Sequence, residues 1–435
     1  MNYRLTLIVV VILFAFNEPL VTHKAEFSSD FLIPGNIRLT NELTSEINIP
    51  QIERGFNTFM RRWQIAGASV AIAKEGRLVY ARGFGYADME KFEEAQPFHR
   101  FRIASISKLV TAVAVMNLCE EGVLSVNDKV FGPTGILNDS LYSSPRDKRV
   151  YSITVGHLLG HKGGWTPRYG DHMFLTQVIA KGMEKELPLS TPDYVRFALN
   201  KNLHFTPGSG RSYSNLGYAI LGMIVEKASG MSYDDYCQKA IFEPLGVYDF
   251  ALGGNLLSQR LVNEVKYYEH DAAIPKVSVY GTEEIVPASY GGNDIESLGG
   301  AGSWVATAPD LMKFLLAIDG LGYNGDLLSQ STIEFMTNEK NGYAPLGWKA
   351  TMGNGVWWRT GSFPGTTAMM KRMPGGISWV VLFNTSAWNG PELTNDINGL
   401  MSRLFSQVKE WPDQDLFRYS LPVPLKYYIT EDNLE

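Results

Sequence analysis

Two β-rich blocks stand at opposite ends of this chain, with helical spacing between them. Near the N-terminus, residues 68–73 and 78–84 flank Lys74-Glu75-Gly76, which reads as a hairpin around a short glycine turn. Near the C-terminus, residues 348–351, 356–360, 366–373 and 377–383 are β-rich and separated by glycine turns, Pro374-Gly375-Gly376 being the sharpest. Between them, residues 154–161, 215–227, 233–242 and 308–316 carry helical signals, with stops at Gly163, Gly230 and Pro244. The economical fold is α/β in the α+β sense. One antiparallel sheet joins the N-terminal hairpin to the C-terminal strands, helices cover its faces, and a mainly helical region is inserted. The helix expected over 50–64 carries Ile52, Phe56, Phe59, Met60 and Trp63 on one side, and a last amphipathic helix is expected over 392–405.

The 435 residues are 45% hydrophobic and 19% charged, enough for a large core. The net charge is −6 and no basic run occurs, which argues against a phosphate-neutralising nucleic-acid surface. At the N-terminus, Arg4 precedes an apolar run from Leu5 to Phe16, the pattern of an export signal, cleaved or kept as an anchor. The domain reading is a signal over 1–20, a linker over 21–48, one domain over 49–410, and a peripheral tail over 411–435. The expected location is outside the cytoplasm, periplasmic or extracellular. Cys119 and Cys237 fall in apolar, helix-like stretches and read as two buried thiols, although an exported chain would permit their pairing.

Ser105-Ile106-Ser107-Lys108 heads an apolar run with helical spacing. In a first helical turn, Lys108 lies on the same face as Ser105, so a hydroxyl nucleophile has a base beside it and backbone N–H donors for an oxyanion. The pattern alone is weak: a chain this long should hold about one or two such matches by chance. A second does occur, Ser406-Gln407-Val408-Lys409, at the end of the last expected helix.

Two further motifs follow Ser105. Tyr213-Ser214-Asn215 comes after a Pro-Gly loop and before a helix, and of the 21 tyrosines only Tyr213 has Asn two residues on. By itself it is more simply a helix entry with a capping Asn. Arg359-Thr360-Gly361-Ser362 ends an aromatic strand, where Gly361 admits close backbone approach and the N–H of Ser362 can pair with that of Ser105 at an oxyanion. His157 and His161, four apart, lack the glutamate of a zinc-protease pair and read as structural, so no metal is expected. Trp357 and Trp358 read as strand residues on opposite faces, one of them open to the cleft.

The order Ser-x-x-Lys, Tyr-x-Asn, basic-Thr-Gly resembles the serine β-lactamase and penicillin-binding-protein superfamily. With Tyr-Ser-Asn in the middle, it is similar to the class C β-lactamase-related branch, which includes D-amino-acid peptidases and esterases. The resemblance extends over residues 50–405 and takes in His157-Leu158-Leu159-Gly160-His161-Lys162-Gly163-Gly164, Pro244-Leu245-Gly246 and Gly299-Gly300-Ala301-Gly302. It implies a β-lactamase/transpeptidase-like fold with Ser105 as nucleophile, Lys108 as proton acceptor, Tyr213 as proton relay and Asn215 as substrate ligand. Arg359, Thr360, Gly361 and Ser362 would line the binding and oxyanion site, and no cofactor is needed. The implied reaction is acyl transfer on a small molecule or peptide, cell-wall peptides ending in a D-amino acid among them. A true β-lactamase and a non-turnover penicillin-binding sensor are the alternatives. The family usually has Lys or His where Arg359 stands. Arginine keeps its proton, so it brings charge without acid–base chemistry, which weighs against efficient β-lactam hydrolysis. The cleft walls expected over 165–185 and 251–300 carry no readable substrate code, and the oligomeric state is open.

Overall fold

In the computed structural model, residues 38–418 are described, apart from 344 and 388. The expected export signal lies outside them.

A first helix, α1 (Pro50–Trp63), leads into the hairpin of β1 (Gly67–Lys74) and β2 (Arg77–Asp88). Glu75 and Gly76 at its tip both take positive φ, the geometry that matches the twist of a two-residue hairpin. β3 (Glu93–Glu94) adds to the β2 edge. The C-terminal block supplies β4 (Ala350–Thr351), β5 (Trp357–Phe363), β6 (Thr366–Arg372) and β7 (Ile377–Phe383). The seven strands run in the order β3-β2-β1-β7-β6-β5-β4, all pairs antiparallel. The register Ala68↔Phe383 through Lys74↔Ile377 closes the sheet between the two ends of the chain.

β1 buries every residue from Gly67 to Ala73. Successive side chains of a strand point to opposite faces, so unbroken burial means that both faces are covered. α1 supplies part of this cover: Phe56 stacks on Phe84 of β2 at 5.2 Å, and Phe59 on Phe383 of β7 at 6.0 Å. The final helix, Gly390–Gln407, packs on α1. A helix over Ala308–Leu316 packs on β1, β2 and β7.

The inserted region is helical, as expected. Its centre is α2 (Ser107–Glu120), whose residues 107–116 are all buried, the mark of a helix surrounded by protein. It packs against α3 (Asn215–Ser229), which ends at Gly230. Tyr233–Cys237 continues into a π-helical turn over Gln238–Phe242.

The structure revises some boundaries. Residues 38–48, expected as linker, are fastened to the sheet edge: Asn41 Nδ2 donates to the carbonyls of Gly83 and Ala95, and its Oδ1 accepts from Gly83 N. Residues 411–418, expected as tail, are tied to β2 through Arg77 to the Asp413 carbonyl and Leu78 N to Asp415, with Leu416 buried. Both cysteines carry free thiols, Cys237 buried and Cys119 half-buried. The helix Val155–Leu159 holds His157 in a capping box with Thr154, while His161 lies beyond its end at positive φ.

Candidate active site

Ser105 does not open α2. It sits on a single 3₁₀ turn, Ala104–Ile106, that precedes the helix, and Ala104 is held at φ 46°. A non-glycine residue there is uncommon and costs on the order of 1–3 kcal/mol. The turn lies against β5. Gly361 makes that approach sterically feasible, because a Cβ at this position would fall 2.1 Å from the Ile103 carbonyl oxygen and 3.0 Å from Ser105 N. Thus the third motif is packed on the first through a glycine.

Lys108, in the first turn of α2, is fully buried. Its Nζ lies 3.3 Å from Ser105 Oγ, 2.6 Å from Asn215 Oδ1 and 2.5 Å from the Ala301 carbonyl. That carbonyl is positioned by the Gly-rich turn after residue 298, where Thr111 Oγ1 of α2 donates to the Gly300 carbonyl at 2.6 Å. Burial lowers the pKa of Lys108, and the Arg359 charge lowers it further against the pull of Tyr213 and Asp171.

Tyr213 stands on the loop before α3, with its hydroxyl 2.7 Å from Ser105 Oγ. Arg359 reaches the same hydroxyl at 3.3 Å through Nη2 and holds the Ser105 carbonyl at 2.8 Å through Nε. The ring keeps 38% of its surface open to the cleft, while the hydroxyl is ringed by Ser105, Lys108 and Arg359. Burial alone would raise its pKa; the Lys108 and Arg359 charges outweigh this and bring it down to about 8. Beside it, the His161 ring packs, tilted, against Tyr213 at 4.7 Å and Tyr218 at 5.0 Å, and its Nδ1 accepts from Ser214 N. Burial, with Arg359, Lys108 and Arg211 nearby, pushes its pKa well below the usual histidine value, so the ring is neutral and structural.

The helix cap of α3 is Ser214, whose side chain accepts from Gly217 N, not Asn215. Asn215 is thereby released to face Lys108. Its Nδ2 donates to Asp171 Oδ2 at 2.7 Å. A carboxylate accepts and an ammonium donates, so the amide between them has one satisfying orientation. Asp171, which sequence reasoning missed, is set by a local turn: its Oδ1 accepts from Met173 N. Its sequence signal was only a position inside an expected cleft wall.

Ser105, Tyr213, Arg359, Thr360 and Ser362 line one cleft of about 500 Å³ with His161, Arg211, Trp348 and Lys349. Lys349 Nζ lies 3.4 Å from Thr360 Oγ1. The cleft tryptophan is Trp348, not Trp357 or Trp358, and Trp357 instead packs on Trp348 and under Arg372. Five of the eight sequence-derived residues line this cleft, and Lys108, Asn215 and Gly361 lie directly behind them. Ser406 does not: its Oγ donates to the Arg403 carbonyl one turn back. Among the described residues no group of three or more metal-type ligands occurs. The arrangement can deprotonate a serine, carry its proton to a second oxygen, and compensate negative charge with fixed cations.

Comparison with known proteins agrees with this fold. The penicillin-binding protein 4* of Bacillus subtilis is 29% identical over 282 residues, 64% of this chain and 57% of that protein. The protein flp of Staphylococcus aureus strain COL is 30% identical over 213 residues, 48% of this chain and 38% of that protein. The chain thus spans well under two thirds of the length of these relatives. Among solved structures, an octameric penicillin-binding protein homologue from Pyrococcus abyssi superimposes with a TM-score of 0.61 at 26% identity, covering 81% of this chain and 77% of that one. The D-amino acid amidase of Ochrobactrum anthropi SV3, at 22% identity, shares the fold with a TM-score of 0.63 over 84% of this chain and 99% of that one. The family model described as Beta-lactamase matches residues 52–400, and the chain belongs to that family of serine hydrolases.

Proposed function

We propose that the protein is an exported hydrolase that forms an acyl-enzyme on Ser105 and cleaves a small amide or ester, peptides ending in a D-amino acid being one candidate class. The observation that carries this reading is the hydrogen-bond set around Lys108. With its ammonium deprotonated, two N–H bonds still serve Asn215 Oδ1 and the Ala301 carbonyl, and the lone pair faces Ser105 Oγ. Lys108 takes the serine proton as Oγ bonds to the substrate carbonyl carbon. The N–H groups of Ser105 and Ser362 receive the oxyanion. Tyr213 gives its phenolic proton to the leaving nitrogen or oxygen as that bond breaks. The phenolate left behind is compensated by Lys108 and Arg359, in keeping with a pKa near 8. In the second half, the phenolate takes a proton from water, the resulting hydroxide attacks the ester, and Lys108 returns its proton to Ser105 Oγ. Arg359 contributes charge, and Thr360 and Gly361 shape the strand edge along which the substrate lies.

Export is supported by the apolar run Leu5 to Phe16 behind Arg4. Among the described residues, no helix is long and apolar enough to cross a membrane. The test is turnover of a chromogenic ester and labelling by a fluorescent penicillin, measured on the parent protein, Ser105→Ala and Ser406→Ala. Loss of both signals in Ser105→Ala alone is expected. Full activity in Ser105→Ala would sink the assignment. Labelling without release favours a penicillin-binding sensor, and fast β-lactam turnover favours a true β-lactamase of the class C type.

A further inference from the structure

The reactive amine is held on one side by the Ala301 carbonyl, and the groups that hold this carbonyl lie outside the cleft. Ala301 belongs to a turn wedged between α2 and α3. At the preceding Gly300, a Cβ would fall 2.8 Å from Thr111 Oγ1 and 3.0 Å from the Tyr218 carbonyl oxygen.

Three buried side chains secure that turn. Thr111 lies one helical turn after Lys108 and is fully buried. Its hydroxyl meets the Gly300 carbonyl at 2.6 Å, the Ser107 carbonyl at 3.2 Å and Tyr233 Oη at 2.7 Å. A carbonyl only accepts, and a threonine hydroxyl has one hydrogen to give. That hydrogen goes to Gly300, the shorter carbonyl contact, so Tyr233 is the donor to Thr111. Burial holds the Tyr233 pKa well above the usual tyrosine value, so its phenol keeps the proton to donate. An indole N–H only donates, and Trp304 Nε1 reaches Tyr233 Oη at 2.9 Å. The hydrogen bonds therefore run one way, from Trp304 to Tyr233 to Thr111 to the Gly300 carbonyl, and each polarises the next.

We propose that Thr111, backed by Tyr233 and Trp304, is a positioning residue for proton transfer at Ser105: it fixes the Gly300–Ala301 turn so that the Ala301 carbonyl takes one hydrogen of Lys108. This rests on the acyl-enzyme reading above and deepens it. The deprotonated amine has two hydrogens and faces three oxygens. With Asn215 and Ala301 each taking one hydrogen, the lone pair is left for Ser105. When the Ala301 carbonyl drifts, a hydrogen can turn to Ser105 Oγ, and the amine then donates where it must accept.

The test measures kcat and KM for a chromogenic ester. Thr111→Val keeps the side-chain shape and removes the hydroxyl. Its kcat should fall by about tenfold to 10²-fold, with KM within about twofold of the parent. Thr111→Ser keeps the hydroxyl and should stay within about threefold of the parent in kcat. Tyr233→Phe should lower kcat by about threefold or more, and adding it to Thr111→Val should cost nothing further, because Tyr233 acts through Thr111. A parental kcat in Thr111→Val overturns the proposal. So does an equal loss in the valine and serine variants, which would make the effect one of packing. Should Thr111→Val fail to fold, Tyr233→Phe decides: a lower kcat at unchanged KM supports the proposal, and an unchanged kcat overturns it. Failure of the acyl-enzyme reading shows separately, as activity retained in Ser105→Ala.

Discussion

Ser105–Lys108 and Ser406–Lys409 have the same residues at the same spacing, and both stand at helix ends. Their surroundings share nothing. Lys108 is fully buried and its ammonium is met by three oxygen acceptors. Lys409 is exposed beyond the end of the last helix, and Ser406 is exposed with its hydroxyl spent on a carbonyl of its own helix. A buried amine is poised because desolvation disfavours its charge while fixed acceptors hold its place. An amine in water is neither desolvated nor held. Reactivity in this chain therefore comes from what three other segments bring to Ser105, and the four-residue pattern only permits it.

The sharpest way to break this contrast is the pair of serine variants. Ser105→Ala should lower ester kcat/KM by at least about 10³-fold, while Ser406→Ala should leave it within about twofold, because that hydroxyl only back-bonds its own helix. Next comes the contact that joins strand to turn. Gly361→Ala sets a Cβ against the Ile103 carbonyl, so kcat should fall by about 10²-fold or more, since small displacements of positioned groups cost that much. A melting curve within a few degrees of the parent, together with unchanged kcat, would show that β5 does not hold the nucleophile.

Arg359→Ala probes the field around the pair. Removing a cation raises the pKa of Lys108 and of Tyr213 alike, since Arg359 lowers both. The base limb and the acid limb of the pH profile of kcat/KM should both move to higher pH, with a loss at pH 7 of about tenfold to 10²-fold. Asp171→Asn should have the smallest effect and the opposite sign on one limb. Asp171 raises the pKa of Lys108, so its loss moves the rising limb to lower pH. An asparagine there can also donate to Asn215 Oδ1 and let that amide turn round, which should cost about tenfold in kcat. The charged groups that act on Lys108 are Tyr213, Arg359 and Asp171, with the buried His161 and Tyr218 beside them. An unmoved profile in both variants would show that the groups around Lys108 do not set its protonation.

Much of this protein was legible before any coordinates. β-rich composition, the Glu75-Gly76 turn and the Pro374-Gly375-Gly376 turn are local properties, and they located the hairpin and the three long C-terminal strands, with β2 and β5 running on to Asp88 and Phe363 beyond the expected ends. The order of three motifs singled out eight residues that do converge. Local signals misled where side-chain contacts across long sequence separations take over. Residues 38–48 look like linker until Asn41 meets Gly83, and Asn215 looks like a cap until Ser214 takes that role.

What the sequence alone determined is the set of elements and the identity of the reactive side chains, because periodicity, turn chemistry and motif order are carried by neighbours along the chain. The tertiary structure decided which serine is poised and what surrounds it. Ser105 on its 3₁₀ turn, the Ala301 carbonyl, Asp171 behind Asn215 and Arg359 on the Ser105 carbonyl come from segments up to 254 residues apart in the chain. Desolvation and charge at Lys108 depend on all of them at once, and no window along the chain contains that sum.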